Sequence, residues 1–185
     1  MRRLAPWAEI AGVVLLGFGY PIFGSLYLVV HPGTEPPITE AGLRSLLLFE
    51  PLVLAPVLLF LWWRGWSFRR IGLQPGAVET LIGIGLYLVT FMVVQLCWLV
   101  ATGLLPDLGP MAETGGLVAG HFRLATVLAI SLVNPLYEEL LVSGYVMTAV
   151  QERGGTSLAI NLSLAIRLLY HLYQGPQAAI SIIPI

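Results

Sequence analysis

Charged residues are scarce in this 185-residue sequence, and lysine is absent. Only 10% of the residues are charged, whereas 57% are hydrophobic and the mean hydropathy is +0.87. A soluble domain carries roughly 25% charged residues. All nine basic residues are arginine and the net charge is −1, so no basic surface for a nucleic acid is indicated. The composition therefore indicates an integral membrane protein.

Metal-binding and disulfide motifs are also missing. The single Cys97 excludes an intrachain disulfide and a cysteine metal cluster. There is no His-Glu-x-x-His zinc helix, and His31 and His121 lack metal-ligand spacing. The sequence therefore requires no cofactor.

Long apolar runs predict an all-α, polytopic membrane helix bundle that forms one domain, 1–185. A helix of about 20 residues crosses the hydrocarbon core. The runs that meet this length give five predicted spans, at about 7–30, 45–63, 78–104, 124–150 and 157–173. The final "AAISIIPI", 178–185, resembles the start of a sixth helix. The sequence therefore reads as C-terminally truncated.

Arginine is concentrated on one side of the predicted membrane. The residues on that side are Arg2, Arg3, Arg64, Arg69, Arg70 and Arg153. The positive-inside rule then places the N-terminus in the cytoplasm. Glu50 falls near the outer end of the second predicted span, where we expect it to reach the interface.

Two adjacent carboxylates interrupt the apolar stretch "NPLYEELLVSGY". Glu138 and Glu139 would each cost at least about 2.5 kcal/mol at mid-bilayer if ionised. Neighbouring residues on a helix differ by about 100°, so the two glutamates cannot share one face. Asn134 lies one turn before Glu138, and Ser143 one turn after Glu139. The sequence therefore predicts a polar stripe within this span.

The following span carries the complementary groups Arg167 and His171, four residues apart and on one helix face. The connection "QERGGT" predicts an antiparallel hairpin. Glu138 and His171 then lie about 15 and 17 residues from the turn, and Glu139 and Arg167 about 14 residues each. The spacing predicts both pairs at similar depth.

This combination of groups is compatible with several roles. Desolvation disfavours the charged form of a buried carboxylate, which suits Glu138 to proton transfer with His171. The pair could activate a water for peptide hydrolysis, with or without a metal. It could equally relay protons in a transporter. Glu139 with Arg167 could instead be an ion pair that only holds the helices together.

The two motifs together resemble the CAAX-prenyl-protease and bacteriocin-processing family (CPBP, or Abi) of intramembrane endopeptidases. The first family motif is Glu-Glu-x-x-x-Arg, often followed by Gly, and "EELLVSG" is similar to it from Glu138 to Gly144. The second is Phe-x-x-x-His with an Arg-x-x-x-His variant, which "RLLYH" matches with Arg167 and His171. The resemblance covers about 124–176.

The resemblance implies a protease whose partners are the lipid bilayer and membrane-anchored peptides or proteins, prenylated or bacteriocin-like. It implies that Glu138 activates the attacking water and that His171 assists it or stabilises the oxyanion. Glu139 would orient the site, with Asn134 and Ser143 in support. Zinc is possible, with Glu138 and His171 as ligands. The expected location is the plasma membrane of a bacterium or archaeon.

The sequence departs from the family pattern in two places. Ser143 occupies the position of the motif-one arginine, and no later helix carries the family's third motif. In the family that arginine is expected to neutralise the second glutamate. Our hypothesis is that Arg167 neutralises Glu139 here. If the chain ends at Ile185, the missing motif argues against catalysis.

Other functional classes remain open. "LVSG" is similar to the Gly-x-Ser-Gly of rhomboid serine proteases, with Ser143 as nucleophile, but Leu141 replaces the leading glycine. That interpretation also leaves the glutamates without a role. There is no intramembrane aspartate pair of the presenilin type. A noncatalytic binding or immunity protein and a small proton-linked transporter are the non-enzyme alternatives.

Overall fold

A computed structural model describes residues 5–31, 33, 37–73, 76–104 and 119–174. Over these ranges the chain is helical and forms no β-strand, so the predicted all-α membrane bundle is confirmed. The elements are α1 (Pro6–Val30), α2 (Glu40–Trp63), α3 (Ala77–Leu104), α4 (Leu124–Glu138), a π-helical segment (Glu139–Met147), α5 (Thr148–His171) and a 3₁₀ turn (Leu172–Gln174).

The division into spans differs from the predicted five. Four helical stretches of the described chain are long and apolar enough to cross a membrane: Pro6–Val30, Glu40–Trp63, Ala77–Leu96 and Leu124–His171. The predicted fourth and fifth spans are joined in the last stretch, which is 48 residues long. The expected sixth helix and the predicted truncation concern residues outside the described ranges.

The last stretch folds back on itself at a glycine. Gly155 has φ 82° and ψ 171°, a backbone conformation that breaks the helix and that glycine adopts without steric cost. Arg167 consequently reaches Glu139, although a straight helix would separate these residues by about 42 Å. The stretch is therefore a helical hairpin, and its turn lies within the predicted connection "QERGGT".

Two pairs of parallel helices build the bundle. In the first pair, Phe18 of α1 stacks on Tyr170 of α5 with ring centroids 5.0 Å apart. In the second, the Thr126 hydroxyl of α4 donates to Glu40 of α2 at 2.7 Å, and Asn134 contacts Glu50 further along. These contacts fix the register of each pair.

The π-helical segment occupies the centre of the core. Its side chains at Leu141, Val142, Tyr145 and Val146 have no exposed surface. Helix α1 approaches it closely at Gly17, where an added Cβ would lie 2.9 Å from the Leu141 side chain. The π-helical segment is therefore held in place from α1 as well as by its own hairpin.

The connection from α2 to α3 closes the end of the bundle where α1 begins. Buried Glu9 of α1 accepts hydrogen bonds from Arg64 Nε at 2.6 Å, Trp66 Nε1 at 3.1 Å and the Tyr145 hydroxyl at 3.2 Å. Arg70 donates to both oxygens of Glu152. These bonds fasten the connection to α1 and to the hairpin.

Helix α3 stands apart from the other described helices. Within the described ranges it packs against none of them, and the spanning stretch Ala77–Leu96 has no buried residue. Its apolar side chains therefore face outward, as expected of a helix in contact with lipid.

Candidate active site

Glu138 lies at the end of α4, held by side chains from both legs of the hairpin. Its Oε2 accepts a hydrogen bond from the Tyr170 hydroxyl at 2.8 Å, and its Oε1 accepts one from Asn134 Nδ2 at 3.3 Å. Arg167 Nη1 is 4.0 Å from Oε2. The side chain is 14% exposed. The carboxylate is therefore fixed on both oxygens, and a guanidinium lies near.

His171 comes beside Glu138 at the end of α5. Its Nε2 is 3.9 Å from Glu138 Oε1, which is too long for a hydrogen bond but close enough for one small group to contact both. The imidazole packs beside the Tyr170 ring, with centroids 4.5 Å apart. The structure thus brings the two predicted catalytic residues together at the same depth.

Glu139 belongs to a separate cluster. Arg167 Nη2 donates to Glu139 Oε1 and also to Ser143 Oγ, the latter at 3.1 Å. The Glu139 side chain is 54% exposed, whereas that of Glu138 is 14% exposed, so the neighbours face different surroundings. Ser143, at the motif-one arginine position, therefore contacts the guanidinium of the following helix.

A cavity of about 210 Å³ adjoins Glu138 and His171. The side chains around it come from α1, α2, both legs of the hairpin and the 3₁₀ turn: Phe18, Pro21, Leu46, Phe49, Glu50, Asn134, Tyr137, Glu138, Tyr170, His171 and Tyr173. A water takes about 30 Å³ of liquid volume. The cavity can therefore hold water together with a few atoms of a substrate.

Glu50 was not predicted to belong to this site, and its expected place at the interface is wrong. It is only 2% exposed, and its Oε1 accepts from Asn134 Nδ2 at 2.7 Å. Helix α2 begins at Glu40, behind an N-cap in which Thr39 accepts from Gly42 N, rather than at Ser45. Glu50 thus lies about 15 Å inside the helix. The Thr39 cap was the signal that could have shown this.

The aromatic hydroxyls were a second omission. Tyr170 donates to Glu138, and Tyr137 donates to the Gly17 carbonyl at 2.5 Å. Tyr170 directly precedes His171, and the hairpin register that aligns His171 with Glu138 also aligns its neighbour. The same spacing argument could therefore have included Tyr170.

The proposed zinc ligands do not form a complete donor set. A catalytic zinc typically takes about three protein ligands. In the part of the chain that the structure describes, no group of three or more His, Cys, Asp or Glu residues is arranged to hold a metal. Glu138 and His171 supply two donors.

Comparison with known proteins agrees with the motifs. Residues 120–185 match the family model described as type II CAAX prenyl endopeptidase Rce1-like. The matched region contains the hairpin with Glu138, Glu139, Arg167 and His171. No curated protein and no solved structure matches the chain. The resemblance to the CAAX-protease family of membrane endopeptidases is thereby confirmed over residues 120–185.

Proposed function

We propose that this protein is an intramembrane endopeptidase in which Glu138 activates a water for attack on a peptide bond. The observation that carries the proposal is the cavity beside Glu138 and His171, whose facing atoms are 3.9 Å apart. The match of the hairpin to CAAX prenyl endopeptidases supports the same reaction class.

Proton transfer runs through Glu138. The carboxylate takes a proton from water as the water oxygen bonds to the peptide carbonyl carbon. His171 Nε2 donates a hydrogen bond to the oxyanion that develops. The C–N bond then breaks, and Glu138 returns the proton to the departing amine. The bonds from Tyr170 and Asn134 keep the carboxylate oriented through both steps.

Glu139 has a supporting role in this proposal. Its bond to Arg167 joins the two legs of the hairpin next to the site. The same guanidinium lies 4.0 Å from Glu138, so its position affects both carboxylates. Arg167 therefore carries out the neutralising role that the family motif gives to an arginine at the position of Ser143.

The proposed substrate is a peptide or protein anchored in the membrane. Glu50 and Asn134 each lie ten residues from the outward-predicted ends of α2 and α4, about 15 Å along the helix. A scissile bond must reach that depth, which favours chains that a lipid group or apolar segment draws into the bilayer. Prenylated C-termini and bacteriocin-like leader peptides both meet this requirement.

Cleavage in liposomes tests the proposal. We expect purified protein to cleave a membrane-anchored, prenylated reporter peptide, and we expect Glu138→Gln and His171→Ala each to lower kcat by at least about 100-fold. Glu152→Gln is the matched control because it changes a carboxylate that lies outside the cavity and bonds Arg70 rather than Arg167. Product masses identify the bond that is cleaved.

Three outcomes would contradict the proposal. Loss of cleavage in Ser143→Ala with Glu138→Gln still active would favour rhomboid chemistry. Proton-coupled uptake without cleavage of either a prenylated or a bacteriocin-like reporter would favour a transporter, a role to which the polar chain Glu50–Asn134–Glu138 is suited. Absence of both activities would leave a noncatalytic binding or immunity protein.

A further inference from the structure

Glu50 is a buried carboxylate that faces the same cavity. In the sequence it lies far from the region that matches the family. It belongs to α2, whereas the match covers residues 120–185. It is 2% exposed, and its Oε2 has no hydrogen-bond partner among the described residues. A buried polar group of this kind costs free energy, and an ionisable residue inside a membrane helix is by default a candidate for a functional role.

One side-chain amide connects Glu50 to Glu138. Asn134 Nδ2 donates to Glu50 Oε1 at 2.7 Å and to Glu138 Oε1 at 3.3 Å. A primary amide nitrogen carries two hydrogens, so one nitrogen can serve both carboxylates. The shorter bond goes to Glu50, and the amide orientation is therefore set mainly from α2.

We propose that Glu50 is a positioning residue that holds Glu138 in its reactive orientation through the Asn134 amide. The inference rests on the proposed function of Glu138. Asn134 fixes Oε1, the oxygen 3.9 Å from His171 Nε2, while Tyr170 fixes Oε2. Small misplacement of a reacting group lowers the rate strongly, because the attack needs a defined geometry.

The packing of α2 against α4 fixes the position of Glu50 relative to Asn134. Near the start of both helices, Glu40 accepts from the Thr126 hydroxyl and from the Arg123 backbone N–H. Glu40 and Glu50 therefore make similar bonds from α2 to the α4 region, but only Glu50 reaches the cavity. This pair supplies a matched control on one helix.

A double-mutant cycle on cleavage tests the coupling. We expect Glu50→Leu and Asn134→Leu each to lower kcat roughly 10- to 100-fold with little change in KM, the effect of losing a hydrogen bond to a charged group. The double variant should be no slower than the slower single variant, because both changes break the same chain. Multiplied effects would overturn the proposal.

Two further variants separate positioning from packing. Glu50→Gln keeps a carbonyl oxygen that can accept from Asn134, so it should retain more activity than Glu50→Leu. Glu40→Leu removes the other contact from α2 to the α4 region and should leave kcat within about twofold, since no hydrogen bond to Glu138 is lost. An equal fall in kcat for Glu40→Leu would assign the effect to helix packing.

Nuclear magnetic resonance tests the same chain without any substrate. The chain has two asparagines, Asn134 and Asn161, so ¹⁵N-asparagine labelling gives two side-chain amide groups. The Asn161 side-chain amide donates a hydrogen bond to the Ser157 carbonyl and serves as the internal reference. We expect Glu50→Leu to move an Asn134 amide proton upfield and to alter the other, whereas Glu40→Leu should move neither.

The two readouts distinguish the possible failures. In one case the wild-type protein shows no cleavage, yet the Asn134 signals respond to Glu50→Leu and Glu138→Leu. The hydrogen bonds from Asn134 to both glutamates are then supported, and the proposed function is contradicted. If cleavage depends on Glu138 while the Asn134 signals ignore Glu50→Leu, the positioning role falls alone.

Discussion

Arg167 is the residue that links the two glutamates of the hairpin. Its guanidinium bonds Glu139 and Ser143 and stands 4.0 Å from Glu138. Its side chain is only 15% exposed, so the charge depends on these carboxylates for compensation. The arginine and the small serine therefore form one unit, in which the serine leaves room for a guanidinium from the opposite leg.

Removal of this guanidinium should destabilise the hairpin. We expect Arg167→Ala to lower the free energy of unfolding by about 2 kcal/mol, because hydrogen bonds to charged groups are lost and Glu139 is left without its counter-charge. Arg167→Ala/Glu139→Gln should recover part of that loss. Thermal unfolding in detergent and membrane yield measure both variants. Absence of any recovery would show that the two side chains are not energetically coupled.

Residue-level prediction succeeded where helix geometry alone decides. A fixed rise per residue and a glycine turn bring Glu138 to His171 and Glu139 to Arg167, and the structure has both contacts. It failed for Glu50, which is 84 residues from its partner Asn134. No local periodicity encodes a contact between helices so far apart in the sequence.

At the scale of elements, the connection between α2 and α3 packs directly on the π-helical segment. A Cβ added at Gly144 would lie 2.5 Å from the Ile71 carbonyl oxygen, a backbone atom that cannot rotate away. Gly144 is therefore required for this approach, which gives the glycine of the family motif a structural reason in this chain.

A methyl group at this contact should loosen the connection. We expect Gly144→Ala to lower the free energy of unfolding by about 1–3 kcal/mol, the usual cost of overpacking. Gly24→Ala is the matched control, because nothing lies within 4 Å of a Cβ at that helical position. Thermal unfolding of the two variants in the same detergent gives the comparison. Equal melting temperatures would show that the connection shifts without cost.

The ends of the helices were predicted less accurately from the sequence than the presence of the helices. The hydropathy pattern located each apolar run but placed the start of α2 at Ser45, whereas the helix begins at Glu40. Polar first turns are common because the unsatisfied N–H groups there donate hydrogen bonds to polar side chains and favour acidic ones. A boundary based on hydropathy alone therefore predicts such helices too short. The residues near the start of the helix are then predicted to lie closer to the membrane interface than they do.

For the whole molecule, the described arginines indicate an orientation. Arg64, Arg69, Arg70 and Arg153 lie at the end of the bundle where α1 begins, and Arg44 and Arg123 lie toward the other end. The positive-inside rule predicts that the first end faces the cytoplasm. This prediction agrees with the one made from the sequence, which also counted Arg2 and Arg3.

Single-cysteine labelling in intact cells tests this orientation. In a Cys97→Ser background, we expect His121→Cys to react with a membrane-impermeant maleimide and Ser67→Cys to react only after lysis. Both positions are exposed, so access to solvent does not bias the comparison. The reverse labelling pattern would show that the protein has the opposite orientation in the membrane.

Helix α3 has a consequence for how the protein is assembled. Because α3 packs against no other described helix, the side chains around the cavity come from two stretches, 5–73 and 119–174. Those stretches are joined by hydrogen bonds such as Asn134 to Glu50 and Tyr145 to Glu9. Among the described residues, the contacts that form the cavity therefore do not require chain continuity through α3. We expect two separately translated fragments, divided on either side of this helix, to reconstitute the cavity as a complex.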